Sequence, residues 1–85
     1  MEKYELYYFD SLIANFSIDE NNNLSYIPYE ENIRKFGNQI LVILHSKKSC
    51  CIDEFPFLKS RISNMKNFNL NTLKYNTDNY LIKKL

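Results

Sequence analysis

The chain has 85 residues, of which 45% are hydrophobic, and its net charge is +1. A chain of this length buries only about 60% of its unfolded surface, so we expect one small domain, residues 1–85, with a single modest core. Seven Tyr and six Phe supply large buried area per residue. The single glycine excludes Gly-rich phosphate loops, because those motifs need several positions without a Cβ.

No apolar run approaches the roughly 18 residues that a membrane span needs, and the first ten residues lack the basic-then-apolar order of a signal peptide. The two cysteines, Cys50 and Cys51, are adjacent, which is a poor framework for a disulfide and fits a reducing compartment. We therefore expect a cytoplasmic protein that does not associate with a membrane.

The small net charge hides an asymmetry between the two parts of the chain. Residues 1–31 carry a net charge of −6, and residues 32–85 carry +7. A chain of this kind either folds its two parts onto each other or presents two faces to partners of opposite charge.

The first part of the chain predicts three strands. Residues 3–9 are rich in Tyr and Phe, Asp10-Ser11 suits a tight turn, and residues 12–18 alternate in hydrophobicity. The expected faces of this second strand are Leu12, Ala14, Phe16 and Ile18 on one side and Ile13, Asn15 and Ser17 on the other. Residues 19–23 form a loop, and a third strand covers residues 24–29, with Pro28 marking its end or a sheet edge.

A short helix is expected next, over residues 30–36, because its start is acidic, its end is basic and Gly37 follows. The apolar run 39–44 predicts a strand covered on both faces, and residues 47–51 predict a loop. Asp53 can cap a helix that contains Glu54 and Pro56 in its first turn and ends near Phe68.

The apolar stripe of this main helix consists of Leu58, Ile62 and Met65, with Lys59, Arg61, Ser63 and Lys66 pointing elsewhere. In the tail, the spacing of Leu70, Leu73 and Thr77 favours a short helical turn, and residues 80–85 favour a closing strand. The predicted fold class is α+β, a mainly antiparallel sheet of about four to five strands with one main helix packed on it.

Enzymatic chemistry would have to centre on His45, the only histidine. With Cys50, Cys51 and Asp53 it gives the pattern H-x4-C-C-x-D, whose residue types can ligate zinc, but adjacent cysteines on an extended chain point to opposite sides. A Cys/His nucleophile pair would lack a recognisable signature and an orienting partner. We expect no catalytic residue, no metal and no cofactor.

Two binding hypotheses remain. The basic second part interleaves Lys and Arg with Tyr, the crude signature of nucleic-acid contact, and would suit a small nucleic-acid-binding or inhibitor protein from a mobile element. A pI of about 7.7 argues against nucleic acid. Phe55 and Phe57 flank Pro56 at the start of the main helix, beside Lys59 and Arg61. An exposed aromatic next to cations is typical of a protein-binding surface, whereas core packing of both rings is the simpler reading of the same residues.

The order of elements resembles the N-terminal subdomain of HipA-type serine/threonine kinases and its free-standing form, the HipS-type antitoxin of toxin–antitoxin systems. The matching segments are the hairpin 4–9 and 12–16, the pair Tyr26 and Tyr29, the apolar run 39–44, residues 55–58 and residues 68–82. The family's glycines and its Leu-Leu-Pro signature are absent here. The resemblance implies a non-catalytic module that binds and modulates a separate HipA-like or HipT-like kinase, with a HipB-like DNA-binding protein nearby.

Overall fold

The computed structural model describes residues 1–37, 49–74 and 78–85. These residues form the predicted α+β fold, a single antiparallel sheet of six strands with two helices, one strand more than the upper expectation. The order across the sheet is β4-β3-β2-β1-β6-β5. The elements are β1 Glu2–Tyr8, β2 Ser11–Ile18, β3 Asn23–Pro28, α1 Glu30–Phe36, β4 Ser49–Cys51, a 3-10 turn Ile52–Glu54, α2 Pro56–Asn67, β5 Thr72–Lys74 and β6 Tyr80–Lys84.

The first hairpin turns one residue earlier than predicted. Its central residues are Phe9 and Asp10, with φ of 48° and 64°, rather than Asp10 and Ser11. Two positive φ angles are what a two-residue turn needs to match the right-handed twist of the flanking strands. Asp tolerates this conformation, but Phe does so at a cost, because its Cβ approaches the following carbonyl.

Strand β2 contains a register shift that reverses the predicted facing of its first residues. Leu6 lies opposite Ala14 and Tyr7 lies opposite Leu12, so Ile13 has no partner in β1. The extra residue is a β-bulge, which turns the Ile13 side chain into the core, where it is fully buried. Leu12, which was expected on the core side, is half-buried opposite Tyr7.

The bulge provides hydrogen-bond acceptors for the next elements of the chain. The carbonyl of Ile13 accepts a bond from the Tyr29 N–H (2.6 Å), and the carbonyl of Leu12 accepts one from Asn32 Nδ2 (2.7 Å). These bonds hold α1 beside β2 along the predicted residues 30–36, and Ile33 inserts into the core. Gly37 closes the helix with φ of 69° and donates its N–H to the Ile33 carbonyl.

The second half departs from the predictions at the chain's short elements. The predicted strand 39–44 and His45 lie outside the described residues, as does the first part of the predicted loop 47–51. Ser49–Cys51 pairs with β3 as strand β4, so the loop prediction is wrong there. Asp53 lies in the 3-10 turn and does not cap α2, whose N-cap is Phe55 without a side-chain bond.

Helix α2 and the tail were predicted in part. Leu58, Ile62 and Met65 form the buried stripe as expected, and Phe68 is the C-cap. The predicted helical turn after Leu70 is wrong for Thr72–Lys74, which pairs with β6 as strand β5. The closing strand is confirmed as Tyr80–Lys84, which lies between β1 and β5.

The two faces of the sheet have different roles. We call the inner face the side of Tyr4, Leu6 and Tyr8, whose side chains pack with the buried residues of α1 and α2 in one core. The outer face carries their sequence neighbours Glu5 and Tyr7 and the residues registered with them across the sheet. Antiparallel sheets commonly keep one such face in contact with solvent.

Because of the bulge, truncation of Ile13 and truncation of Leu12 should lower the free energy of unfolding by different amounts. Ile13→Ala should lower the free energy of unfolding by about 2–4 kcal/mol, because a fully buried side chain leaves a cavity. Leu12→Ala should lower it by less than about 1 kcal/mol, because Leu12 is only half-buried. Urea unfolding measures both, and a larger cost for Leu12→Ala would contradict the register.

Candidate functional site

Two of the four residues predicted to bind a partner, Phe55 and Phe57, pack against other aromatics. Phe55 is buried in the core, with its ring centroid 6.4 Å from Tyr26 and 6.3 Å from Phe57. Phe57 is half-buried, with its ring edge-to-face to Tyr80 at 5.1 Å. Core packing, the alternative left open for these rings, is therefore shown for Phe55 and partly for Phe57.

Arg61 points inward, contrary to the expectation that it lies away from the apolar stripe. Only 8% of the residue is exposed, and its guanidinium carbon lies 3.8 Å above the Phe57 ring. Nη1 donates to the Phe57 carbonyl (3.2 Å), and Nη2 donates to Asp78 Oδ2 in an ion pair. Asp78 Oδ1 also accepts the Tyr80 N–H (3.1 Å), so Arg61 ties α2 to the start of β6.

The other two cations of α2 are also paired. Lys59 Nζ lies 2.6 Å from Asp53 Oδ1, and Lys66 Nζ lies 3.3 Å from Glu2 Oε2. The hydrogen bond in the first pair raises the pKa of Lys59 and lowers the pKa of Asp53. Phosphates would have to compete with these carboxylates, which counts against α2 as a nucleic-acid-binding helix.

Alanine substitutions of Arg61 and Lys59 should affect the stability of the fold differently. Arg61→Ala should lower the free energy of unfolding by about 3 kcal/mol, because it removes one partner of a largely buried ion pair. Lys59→Ala should leave the urea midpoint nearly unchanged, because both members of its pair are exposed. Equal midpoints for the two variants would contradict the anchoring role of Arg61, and Lys59→Ala remains a clean test of partner binding.

Buried phenols lie at both ends of the core. The hydroxyl of Tyr4 donates to Glu2 Oε2 (2.5 Å), a bond that lowers the pKa of Glu2, while burial followed by this bond raises the pKa of Tyr4. Burial likewise raises the pKa of Tyr80 to about 12. Glu2 also contacts Lys66, so this small polar network joins the start of β1 to the end of α2.

The raised phenol pKa values predict a loss of stability at alkaline pH. The native state keeps Tyr80 neutral up to about pH 12, whereas the unfolded chain ionises near its ordinary value of 10. The stability linked to Tyr80 is therefore complete below about pH 10 and falls as the pH rises toward 12. Urea midpoints measured across this range should fall less steeply for Tyr80→Phe than for Tyr29→Phe, the exposed control. Identical slopes would contradict the assignment.

The cysteines lie on different sides of β4, as their adjacency predicted. Cys50 is opposite the buried Leu24 and packs against the core, whereas Cys51 is opposite the exposed Asn23. The thiol of Cys51 contacts Asp53 Oδ2 at 3.8 Å. Within residues 1–37, 49–74 and 78–85, no group of three His, Cys, Asp or Glu side chains could hold a metal ion. His45 lies outside these ranges, so the described structure does not test the Cys/His pair.

A groove of about 400 Å³ lies along β1, β2 and β3, between Ile27 and Leu85. Its lining is mainly apolar and small polar, and it includes Asn15, Ser17 and Ser25. Of the described residues that line it, Lys3 alone has a charged side chain, and none has a carboxylate, imidazole or thiol side chain. The groove therefore offers contact surface without the carboxylate, imidazole or thiol side chains that most often act as catalytic groups.

The feature that sequence reasoning missed is the tip of the first hairpin. Phe9 is 56% exposed although it is a large apolar residue at a positive φ. Its ring lies 4.6 Å from Tyr8 and 6.1 Å from Phe36, and its N–H donates to the Asn79 carbonyl (3.1 Å). The signal was the short segment Tyr8-Phe9-Asp10-Ser11, in which shifting the turn by one residue moves Phe9 from the strand to the tip.

No protein-family model matches the chain, and neither a curated protein nor a solved structure matches it. Neither of the two described helices is long and apolar enough to cross a membrane. The class of protein is therefore defined by the fold and its surfaces, a small α+β domain with an aromatic hairpin tip.

Proposed function

We propose that this chain is a small non-catalytic module that binds another protein in the cytoplasm. The expected partner is a kinase of the HipA or HipT type, which the module modulates as an antitoxin does. The described elements support this proposal by their order, which runs hairpin, third strand, short helix, main helix and closing strand. Cys50 and Cys51 are adjacent on β4, a poor framework for a disulfide, and this arrangement suits a reducing compartment.

The observation that carries the proposal is the conformation of Phe9. A left-handed backbone costs an ordinary residue roughly 1–2 kcal/mol, and asparagine or glycine would adopt it more easily. Burial does not account for phenylalanine here, because more than half of the residue is exposed. Residues with a strained backbone concentrate at binding and active sites, where the strained conformation holds the side chain in the position that the function needs.

The tip is also held in one geometry before any partner arrives. The Phe9 N–H is bonded to Asn79, and the ring rests on Phe36, which in turn packs edge-to-face on Tyr8 at 4.9 Å. An aromatic anchor that is fixed in advance loses little entropy on binding. Phe9 is therefore the anchor, and an apolar pocket on the partner protein receives it.

The test separates binding from folding. Phe9→Asn should weaken partner binding by at least about tenfold, while the free energy of unfolding stays within about 1 kcal/mol because Asn relieves the backbone strain. The matched control is Tyr29→Asn, which removes another exposed aromatic side chain that lies neither at the hairpin tip nor in the groove. Affinity is measured by titration calorimetry and stability by urea unfolding. Equal affinities for the two variants would contradict the role of the tip.

The partner itself is sought by co-expression with the protein encoded by the neighbouring gene. Tagged wild-type chain should retain a kinase-like protein on an affinity column, and the Phe9→Asn variant should retain much less of it. Lys59→Ala, on the exposed side of α2, tests the helix face in the same assay. A neighbouring protein that is not kinase-like, or that does not co-purify, would overturn the kinase assignment.

A further inference from the structure

Strand β5 lies at the end of the sheet that residues 1–37, 49–74 and 78–85 form. Among the described strands, Thr72–Lys74 has β6 as its only neighbour. The connection from α2 leads into it through Phe68 and Leu70, two apolar residues that are 71% and 36% exposed. A strand edge presents backbone N–H and C=O groups that an extended segment of another chain can pair with.

The charge around this edge is positive. In the described structure, ion pairs with carboxylates engage the basic residues of α2 and Arg34, but none of the lysines on β1, β5 and β6. These lysines are Lys3, Lys74, Lys83 and Lys84. Residues 38–48 and 75–77 contain no Asp or Glu, so all ten carboxylate side chains belong to the described residues. Of these lysines, Lys83 lies opposite Glu5 across β1 and β6, whereas Lys74 on β5 lies opposite Leu81. Lys74 therefore carries a positive charge that faces no carboxylate in the described sheet, and it lies on the β5 edge itself.

The cations and the apolar residue at the edge lie on different faces. Thr72 is opposite Lys83 and Lys74 is opposite Leu81, so these residues share the outer face. The Lys83 ammonium lies 5.0 Å from the centroid of the Tyr7 ring, on the same face. Leu73 is opposite the buried Ile82 and packs against the core. A strand added beside β5 would adjoin Thr72 and Lys74 on one face and Leu73 on the other. The long side chain of Lys83 lies behind Thr72, one strand further in on the same face.

We propose that the β5 edge binds an extended segment of a partner protein in which acidic and apolar residues alternate. The backbone pairs with Thr72–Lys74, the acidic side chains face Lys74 and Lys83, and the apolar side chains face Leu73. This inference does not rest on Phe9 or on the identity of the partner. A second copy of the chain is a poorer occupant, because its own β5 edge would bring another set of lysines to a positive edge.

The probe is a fluorescein-labelled peptide of alternating Glu and Val, titrated with the full chain and followed by fluorescence anisotropy. A matched peptide of alternating Lys and Val serves as the control. The Glu/Val peptide should bind more tightly than the Lys/Val peptide. In the double variant K74E/K83E, affinity for the Glu/Val peptide should fall by at least about tenfold, and the preference between the peptides should reverse. An unchanged preference would overturn the proposal.

Backbone pairing is tested on the peptide rather than on the protein. Two versions of the Glu/Val peptide are methylated on the backbone nitrogen, one at the Glu residues and one at the Val residues, which leaves the charge unchanged. An added strand uses the N–H groups of one edge only, so one version should lose binding and the other should keep it. If both versions and the parent peptide bind equally well, binding does not depend on the peptide's backbone N–H groups. The interaction is then electrostatic attraction alone, and the proposal is overturned.

Three further measurements distinguish a peptide-binding edge from a nucleic-acid site, a dimer interface and the hairpin tip. A single-stranded DNA of matched charge should bind less tightly than the Glu/Val peptide, and tighter binding would assign the edge to nucleic acid. The chain alone should sediment as a monomer, and a dimer that dissociates on addition of peptide would assign the edge to a second copy. Phe9→Asn should leave the affinity for the Glu/Val peptide unchanged. The proposal for the hairpin tip and the proposal for the β5 edge can therefore fail independently of each other.

Discussion

The extra residue in β2 is the constraint on which the hairpin end of the molecule depends. By leaving Ile13 without a partner in β1, the bulge turns its side chain into the core, and the carbonyls of Leu12 and Ile13 accept bonds from Asn32 and Tyr29. Those two bonds hold α1 beside β2. Because α1 carries Phe36, the same bulge supplies the ring on which Phe9 rests. One local irregularity in a strand thus connects core packing, the position of a helix and the shape of the proposed binding tip.

The electrostatic organisation follows from where the carboxylates lie. Acidic side chains contact α2 at Asp53, Asp78 and Glu2, and each one pairs with a lysine or arginine of the helix. The opposite charges of the two parts of the chain are therefore partly joined within the fold, as the Glu2–Lys66 pair illustrates. No ion pair engages Lys3, Lys74, Lys83 or Lys84 in the described part of the chain, and of the lysines on β5 and β6 only Lys83 lies opposite a carboxylate, that of Glu5. A protein with a net charge of +1 can in this way present one distinctly positive edge.

Much of the fold could be predicted because it depends on local chemistry. Acidic and basic ends with a following glycine predict α1, and the spacing of Leu58, Ile62 and Met65 predicts the buried face of α2.

The turn at Phe9 and the bulge at Ile13 could not be predicted, because each depends on how β1 registers with β2. The inward position of Arg61 depends on Asp78, seventeen residues away. The short strands β4 and β5 exist only because longer neighbours pair with them. For the same reason, the sequence pointed to the helix entrance for binding and missed the tip and the edge.

The scarcity of glycine affects the unfolded chain as well as the native one. Phe9, Asp10, Asn22 and Asn69 adopt positive φ angles that glycine would adopt more easily. A side chain at these positions restricts the conformations open to the unfolded chain, so folding loses less backbone entropy at each turn. The same side chain adds strain to the native turn. Part of the stability of these turns therefore comes from the lower conformational entropy of the unfolded chain. No contact in the folded structure reveals this contribution.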